Sequence, residues 1–226
     1  MIQILNLSKS FGNSEVLKNI ELSFSAGNVY GIVGENGAGK TTLFNCIAGL
    51  EKFDGQIKYS KGILKNVLGF LPTDSYFFSK ITGGEYLQLL CNARNVELTN
   101  TSEKNIFDLP LNQFAETYST GMKKKLAITA ILLQQNKVFV LDEPFNGVDI
   151  QSNILIKAVI LKLKSLNKIV IISSHIFSTL KETCDELHLL KNGVIIKSVL
   201  PNNFSLIEEE LKDINFINKI NNLGLI

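Results

Sequence analysis

The chain has 226 residues, enough to bury a substantial core and suited to one large α/β domain. Its 23 basic and 21 acidic side chains leave a net charge of +2, so no strongly basic surface points to nucleic acid as a partner. No apolar run reaches the ~20 residues that span a bilayer, and the first residues lack the basic-then-apolar pattern of an export signal, so a chain neither exported nor membrane-spanning by itself is expected.

In chain order, residues 2–7 and 20–25 alternate in character and predict two strands of an antiparallel flank, joined through a turn at Gly12-Asn13. An apolar strand, residues 28–33, then runs into Gly34-Glu35-Asn36-Gly37-Ala38-Gly39-Lys40-Thr41-Thr42, after which helical spacing continues to Ala48. Glycines at these positions let successive backbone N–H groups turn inward at a helix N-terminus, where the dipole favours anions. Residue types, spacing and flanks together fit the cradle of a nucleoside triphosphate. Asn36, Gly37, Gly39, Lys40, Thr41 and Thr42 are its candidate contacts. Lys40 supplies a point charge for the β and γ phosphates, the Thr41 hydroxyl suits Mg²⁺, and Thr42 reaches the α phosphate.

Further on, residues 55–59 predict a short edge strand and residues 66–71 a buried one ending at Pro72. Thr82 and Glu85 have the spacing of a capping box ahead of a periodic helix, and residues 99–104 predict a surface loop. A helix is expected over residues 120–133, an apolar strand over 137–141, a helix over 154–166 and a second apolar strand over 168–173. Apolar strands alternating with helices imply parallel pairing through right-handed crossovers, with reactive groups at the strand C-terminal ends. A small helix packed on the domain is expected in the tail, residues 201–226. Cys46, Cys91 and Cys184 are odd in number and far apart, which predicts buried reduced thiols and a reducing cytosol.

Three segments carry chemistry besides the glycine-rich loop. Asp142 and Glu143 follow a buried strand, where Asp142 suits the second shell of Mg²⁺ and Glu143 suits the polarisation of an attacking water. Ser173-Ser174-His175 ends the other strand, so His175 is expected on the same rim, in contact with the γ phosphate, whereas His188 has no such context. The helix opened by Tyr118-Ser119-Thr120-Gly121-Met122 carries Lys123, Lys124 and Lys125 in its first turn, at the wrong end of a helix dipole. A second anion held by another subunit would remove that conflict, which predicts a dimer with nucleotides between its halves.

At this point the chain resembles the nucleotide-binding subunit of an ATP-binding-cassette (ABC) transporter, over nearly all of residues 1–200. Residues 34–42 resemble the family's Walker A motif, residues 138–143 its Walker B motif with the catalytic glutamate, and residues 118–122 its signature sequence. The resemblance implies a P-loop NTPase core with a mainly parallel sheet, an antiparallel flank and a helical insert at about residues 73–134. It implies Mg-ATP hydrolysis with Glu143 and His175 catalytic, Thr41 and Asp142 at the metal, and Phe11 and Val16 at the nucleotide, Phe11 stacking on adenine. It further implies that Ser119, Thr120 and Gly121 act in trans, that Asp149 communicates across a dimer with an identical or closely related subunit, and that a separate transmembrane permease is the partner on the inner face of the cell membrane. Two departures stand out: Thr73 occupies the family's usual glutamine position, and Thr120 and Met122 give the signature a form resembling bacterial export-type subunits. Relatives that act on DNA or ribosomes generally show a long coiled coil, paired cassettes or zinc-type cysteine pairs, and this sequence shows none of these.

Overall fold

In the structure, a computed structural model that describes residues 1–211, the N-terminal strands run longer than their alternation predicts. Strand β1 (Ile2–Phe11) pairs antiparallel with β2 (Ser14–Phe24) up to the Gly12-Asn13 turn, and register shifts between Ile4 and Ser10 carry the pairing through polar stretches where alternation lapses. After β3 (Asn28–Val33) and α1 (Lys40–Ala48), strand β4 (Asp54–Tyr59) pairs with the free side of β1, completing a three-stranded sheet in the order β2-β1-β4.

The second sheet holds six strands. Strands β5 (Leu68–Leu71), β6 (Val138–Leu141), β7 (Ile169–Ser173), β8 (Glu186–Lys191) and β9 (Val194–Val199) join β3 in the order β5-β6-β7-β3-β8-β9, all parallel except the antiparallel β8–β9 hairpin. Side chains on its central strands part to two faces with the two-residue period of a strand. Tyr30, Ile32, Val138, Val140, Ile169 and Ile171 face one core, shared with Ile2, Ile4, Leu17, Phe24 and with Leu43 and Phe44 of α1. Val29, Val33, Phe139, Leu141, Val170 and Ile172 face the other. Both faces are covered, which is why these strands read as continuous apolar runs.

Helices α2 (Gly83–Asn92), the single turn α3 (Thr101–Lys104), α4 (Thr120–Leu133), α5 (Ile150–Ser165), α6 (Phe177–Thr183) and α7 (Phe204–Leu211) follow in chain order, and the last four cover the second face. Contacts to the sheet come from Ile128 and Ile131 of α4, Ile156 and Ile160 of α5, Leu180 of α6, and Phe204 and Ile207 of α7. Helix α4 is buried on a second side as well. Its Leu126 and Ala130 join Tyr86 and Leu87 of α2, with Leu109, Ala115 and Tyr118, in a third cluster. A helix apolar nearly all round is explained by this double burial. The three cysteines are buried and free, and among the described residues no helix is long and apolar enough to cross a membrane.

Three local expectations need correction. Residues 64–66 form a 3₁₀ turn, in which Asn66 N–H and Val67 N–H bond to Ile63 O and Leu64 O, so β5 starts only at Leu68. Residues 101–104 make one helical turn inside the expected loop, after Asn100 in the left-handed region at φ 52°. Helix α5 begins four residues earlier than its apolar pattern, because the Asp149 carboxylate caps it by accepting from Ser152 N–H. The Thr82–Glu85 capping box is present at the start of α2 as the spacing predicts. Helix α6 and the β8–β9 hairpin were not anticipated at all, since their short apolar runs lack a distinct period. Of the tail expected to hold a packed helix, residues 204–211 are helical, and 212–226 lie outside the described residues.

Candidate active site

Strand β3 ends at Val33 and α1 starts at Lys40, leaving six residues to wrap the N-terminus of the helix. Gly39 caps α1 at φ 109°, and an added Cβ there would lie 2.9 Å from Leu17 Cδ2 and 3.2 Å from Val16 O, so both conformation and space demand glycine. Lys40 is buried, and its Nζ donates to Gly34 O (2.7 Å) and Glu35 O (3.1 Å). Burial lowers its pKa from the ordinary lysine value, against the opposing pull of Glu143 and Asp142. An anion placed here would favour the charged form and compensate that desolvation.

The loop is one wall of a cleft of about 470 Å³. Val16, Asn36, Gly37, Gly39, Lys40, Thr41 and Thr42 line it, and Asp142, Glu143 and His175 reach it from the ends of β6 and β7. Thr73 and Asn146 complete the lining. Phe11 is not among the lining residues: it sits 49% exposed at the end of β1, with Lys9 Nζ 4.4 Å from its ring centroid. Ser119, Thr120, Gly121 and Asp149 also lie outside the cleft. Ser119 caps α4 by accepting from Met122 N–H.

Asp142 is 1% exposed and accepts three hydroxyl hydrogen bonds. Thr41 Oγ1 and Thr73 Oγ1 both donate to Oδ2 at 2.7 Å, and Ser173 Oγ donates to Oδ1 at 2.5 Å. Glu143 follows at φ 50°, its N–H donating to Ser173 Oγ at 2.9 Å. Its carboxylate Oε2 lies 2.8 Å from His175 Nδ1 and accepts from His175 N–H at 3.4 Å. The glutamate side chain is 13% exposed and the histidine 53%, so the pair stands at the rim with the carboxylate inward.

Sequence reasoning missed Ser173, whose signal was a hydroxyl at the end of a fully buried strand, where it must find a partner. The basic first turn of α4 also needs restating. Lys124 Nζ donates to Glu143 O at 2.8 Å and Lys125 Nζ pairs with Asp149 Oδ2 at 2.7 Å, so two of its three cations are answered inside the chain. The hydrogen bond from Lys125, joined by those from Ser152, holds the Asp149 carboxyl well below the usual carboxylate range.

The group around Asp142 fits a hard divalent cation. Its donors are all oxygen, one carboxylate with hydroxyls 2.7 Å away, and an Mg²⁺ ion is normally held by one or two such protein groups together with substrate phosphates. The described residues contain no cluster of three or more His, Cys, Asp or Glu that would hold a metal alone.

The family model described as ABC transporter matches residues 17–146, from β2 through the loop that follows Glu143. The chain belongs to the ABC transporter family. Curated relatives agree along most of its length. It is 32% identical over 213 residues to the bacitracin transport ATP-binding protein BcrA of Enterococcus faecalis, covering 88% of this chain and 69% of that one. It is 30% identical over 209 residues to the lantibiotic transport ATP-binding protein SrtF of Streptococcus pyogenes, covering 87% and 89%. Solved structures share the fold. The ATP-binding subunit of an ABC transporter superposes with a TM-score of 0.80 at 22% identity, covering 94% and 95% of the two chains. A dimeric post-hydrolysis ATP-binding cassette bound to ADP and Pi gives 0.80 at 19%, covering 89% and 99%. This ABC chain is accordingly the ATP-binding subunit of a transporter and an ATPase, with the P-loop NTPase fold.

Proposed function

We propose that this ABC subunit hydrolyses Mg-ATP in the cleft bounded by Lys40, Asp142 and Glu143, and that hydrolysis drives export of a substrate through a separate membrane permease. The observation that carries the reading is the Glu143–His175 pair, 2.8 Å apart, at the rim of a cleft walled on one side by a glycine-rich loop. Glu143 orients and polarises the attacking water, and His175 holds the carboxylate and contacts the terminal phosphate. Lys40 and the loop N–H groups, with Asn36, Gly37, Gly39 and Thr42, bind the phosphates, while Phe11 and Val16 meet the base and ribose side. Thr41 and Asp142 hold Mg²⁺, which when bound neutralises charge on the β and γ phosphates. In-line phosphoryl transfer needs mainly such positioning and charge stabilisation.

Two copies, or this chain and a close relative, sandwich the nucleotides, with Ser119, Thr120 and Gly121 of each facing the triphosphate of the other and Asp149 linking the sites. Gly121 also packs tightly within the chain, where an added Cβ would sit 2.6 Å from Gly147 O. The subunit works at the cytoplasmic face, docked on the permease, with no nucleic acid involved. Export is favoured by the Thr120 and Met122 form of the signature and by the similarity to bacitracin and lantibiotic transport ATP-binding proteins.

The test is a pull-down of tagged Glu143→Gln protein with ATP from solubilised membranes and from cytosol, read by mass spectrometry. Co-purification of a multi-span membrane protein is the expected result. Recovery only of ribosomal or DNA-bound proteins would overturn the transport reading.

A further inference from the structure

Glu143 adopts φ 50°, in the left-handed region that residues with a side chain seldom enter. Such a backbone persists only where surrounding bonds hold it. Here both sides of the residue are held: its N–H donates to Ser173 Oγ at 2.9 Å, and its carbonyl accepts from Lys124 Nζ at 2.8 Å and from Asn146 N–H at 3.2 Å.

Of these partners Lys124 is the least expected. It is a lysine on α4, 5% exposed, and lysine is rarely buried unless its ammonium is matched. Asp142, Asp74 and Glu143 all bear on its charge, but among the described residues the hydrogen bond that its Nζ makes goes to the carbonyl of Glu143, and none of their carboxylates lies within ion-pair distance. The ammonium is thus spent on fixing one peptide group, the one that carries the carboxylate facing His175.

We propose that Lys124 is a positioning residue for ATP hydrolysis, holding the Glu143 backbone so that the carboxylate stays against His175 and aimed into the cleft. The proposal rests on the reading of Glu143 as the group that polarises the attacking water. Helix α4 is packed on both the sheet core and the α2 cluster, so the strut also ties the placement of Glu143 to the seating of that helix.

The test compares wild type, Lys124→Met, Lys124→Arg and Glu143→Gln as full chains, by steady-state phosphate release, by equilibrium ATP titration, and by the NMR resonances of the His175 ring, one of only two histidines in the sequence. Lys124→Met is expected to lower kcat by about tenfold to a hundredfold, the scale of a misplaced catalytic group, while KM and ATP affinity stay within about twofold. The His175 ring resonances are expected to move, and Lys124→Arg, which keeps a cationic donor, to recover most of kcat. A general loss of structure would instead weaken ATP binding in step with turnover. If Lys124→Met does not fold, Lys124→Gln, which stops one atom short of the Nζ position, takes its place with the same expectation. An unchanged kcat and unmoved His175 resonances, or a loss shared equally by kcat and ATP affinity, would overturn the positioning role. Wild-type turnover in Glu143→Gln would sink the Glu143 reading itself, a failure separate from that of Lys124.

Discussion

Lys40 shows how much of a site one residue reveals. Its place after three glycines identifies the phosphate cradle from sequence, and the structure adds that its ammonium is buried and tied to Gly34 O and Glu35 O. Those two carbonyls hold the loop closed around the space where phosphates belong. Lys40→Met keeps the length of the stem and removes the charge, and should weaken ATP binding by at least about tenfold, given ~1.5–3 kcal/mol for hydrogen bonds to a charged group. Isothermal titration of wild type and variant checks it, and equal affinities would remove Lys40 from the phosphate site. Asp142 makes the opposite point. Its strand-end position was legible, but that its carboxylate gathers Thr41, Thr73 and Ser173 was not, because those donors lie 101, 69 and 31 residues away. Thr73, a departure from the family pattern on sequence grounds, turns out to hold the same oxygen as Thr41.

At the scale of elements, legibility followed local chemistry. The ends of α4 were predicted at Thr120 and Leu133, and those are its observed bounds. The capping box of α2 was equally plain, since both of its bonds close within three residues: Glu85 N–H donates to Thr82 Oγ1, and Thr82 N–H to the Glu85 carboxylate. Thr82→Ala removes the acceptor at the helix start and should cost about 1 kcal/mol of stability, read as a lower urea midpoint at unchanged slope. No change in midpoint would mean that tertiary packing of Tyr86 and Leu87, not the cap, sets the stability of this helix. Strand β5 was misplaced at its start because a 3₁₀ turn satisfies the preceding N–H groups locally, which apolar periodicity does not record.

For the whole molecule, the layering makes stability depend on pH through one residue remote from the cleft. His188 on β8 is 3% exposed, stacks on Tyr30 at 6.0 Å between ring centroids, and pairs through Nδ1 with Ser198 Oγ at 2.8 Å, while Nε2 has no partner among the described residues. Burial pushes its pKa down to about 4. An unfolded chain takes up that proton near pH 6.5, the folded one only near pH 4, so the unfolded state binds more protons in between. The stabilisation is complete above pH 6.5 and is lost as pH falls toward 4, by about 3 kcal/mol in all. Denaturant unfolding of wild type and His188→Gln at pH 7.5, 6, 5 and 4 should show the difference between them shifting against wild type by that order across the window. A constant difference would mean that His188 titrates alike in both states.

By itself the sequence determined the pieces whose physics is local: the glycine-rich loop between strand and helix, the two carboxylates after β6, the histidine after β7, and the capped helices. These follow from conformational preference, hydrogen bonds between near neighbours, and periodicity, all of which a linear text contains. Only the tertiary structure decided which strand ends meet. The order β5-β6-β7-β3-β8-β9 sets β7 between β6 and β3, and so brings Ser173 to Asp142 and His175 to Glu143, and it lets α4 drive a lysine beneath a peptide of the loop after β6. Such contacts form because both faces of one sheet must be buried together, a condition imposed by the whole core and written in no one segment.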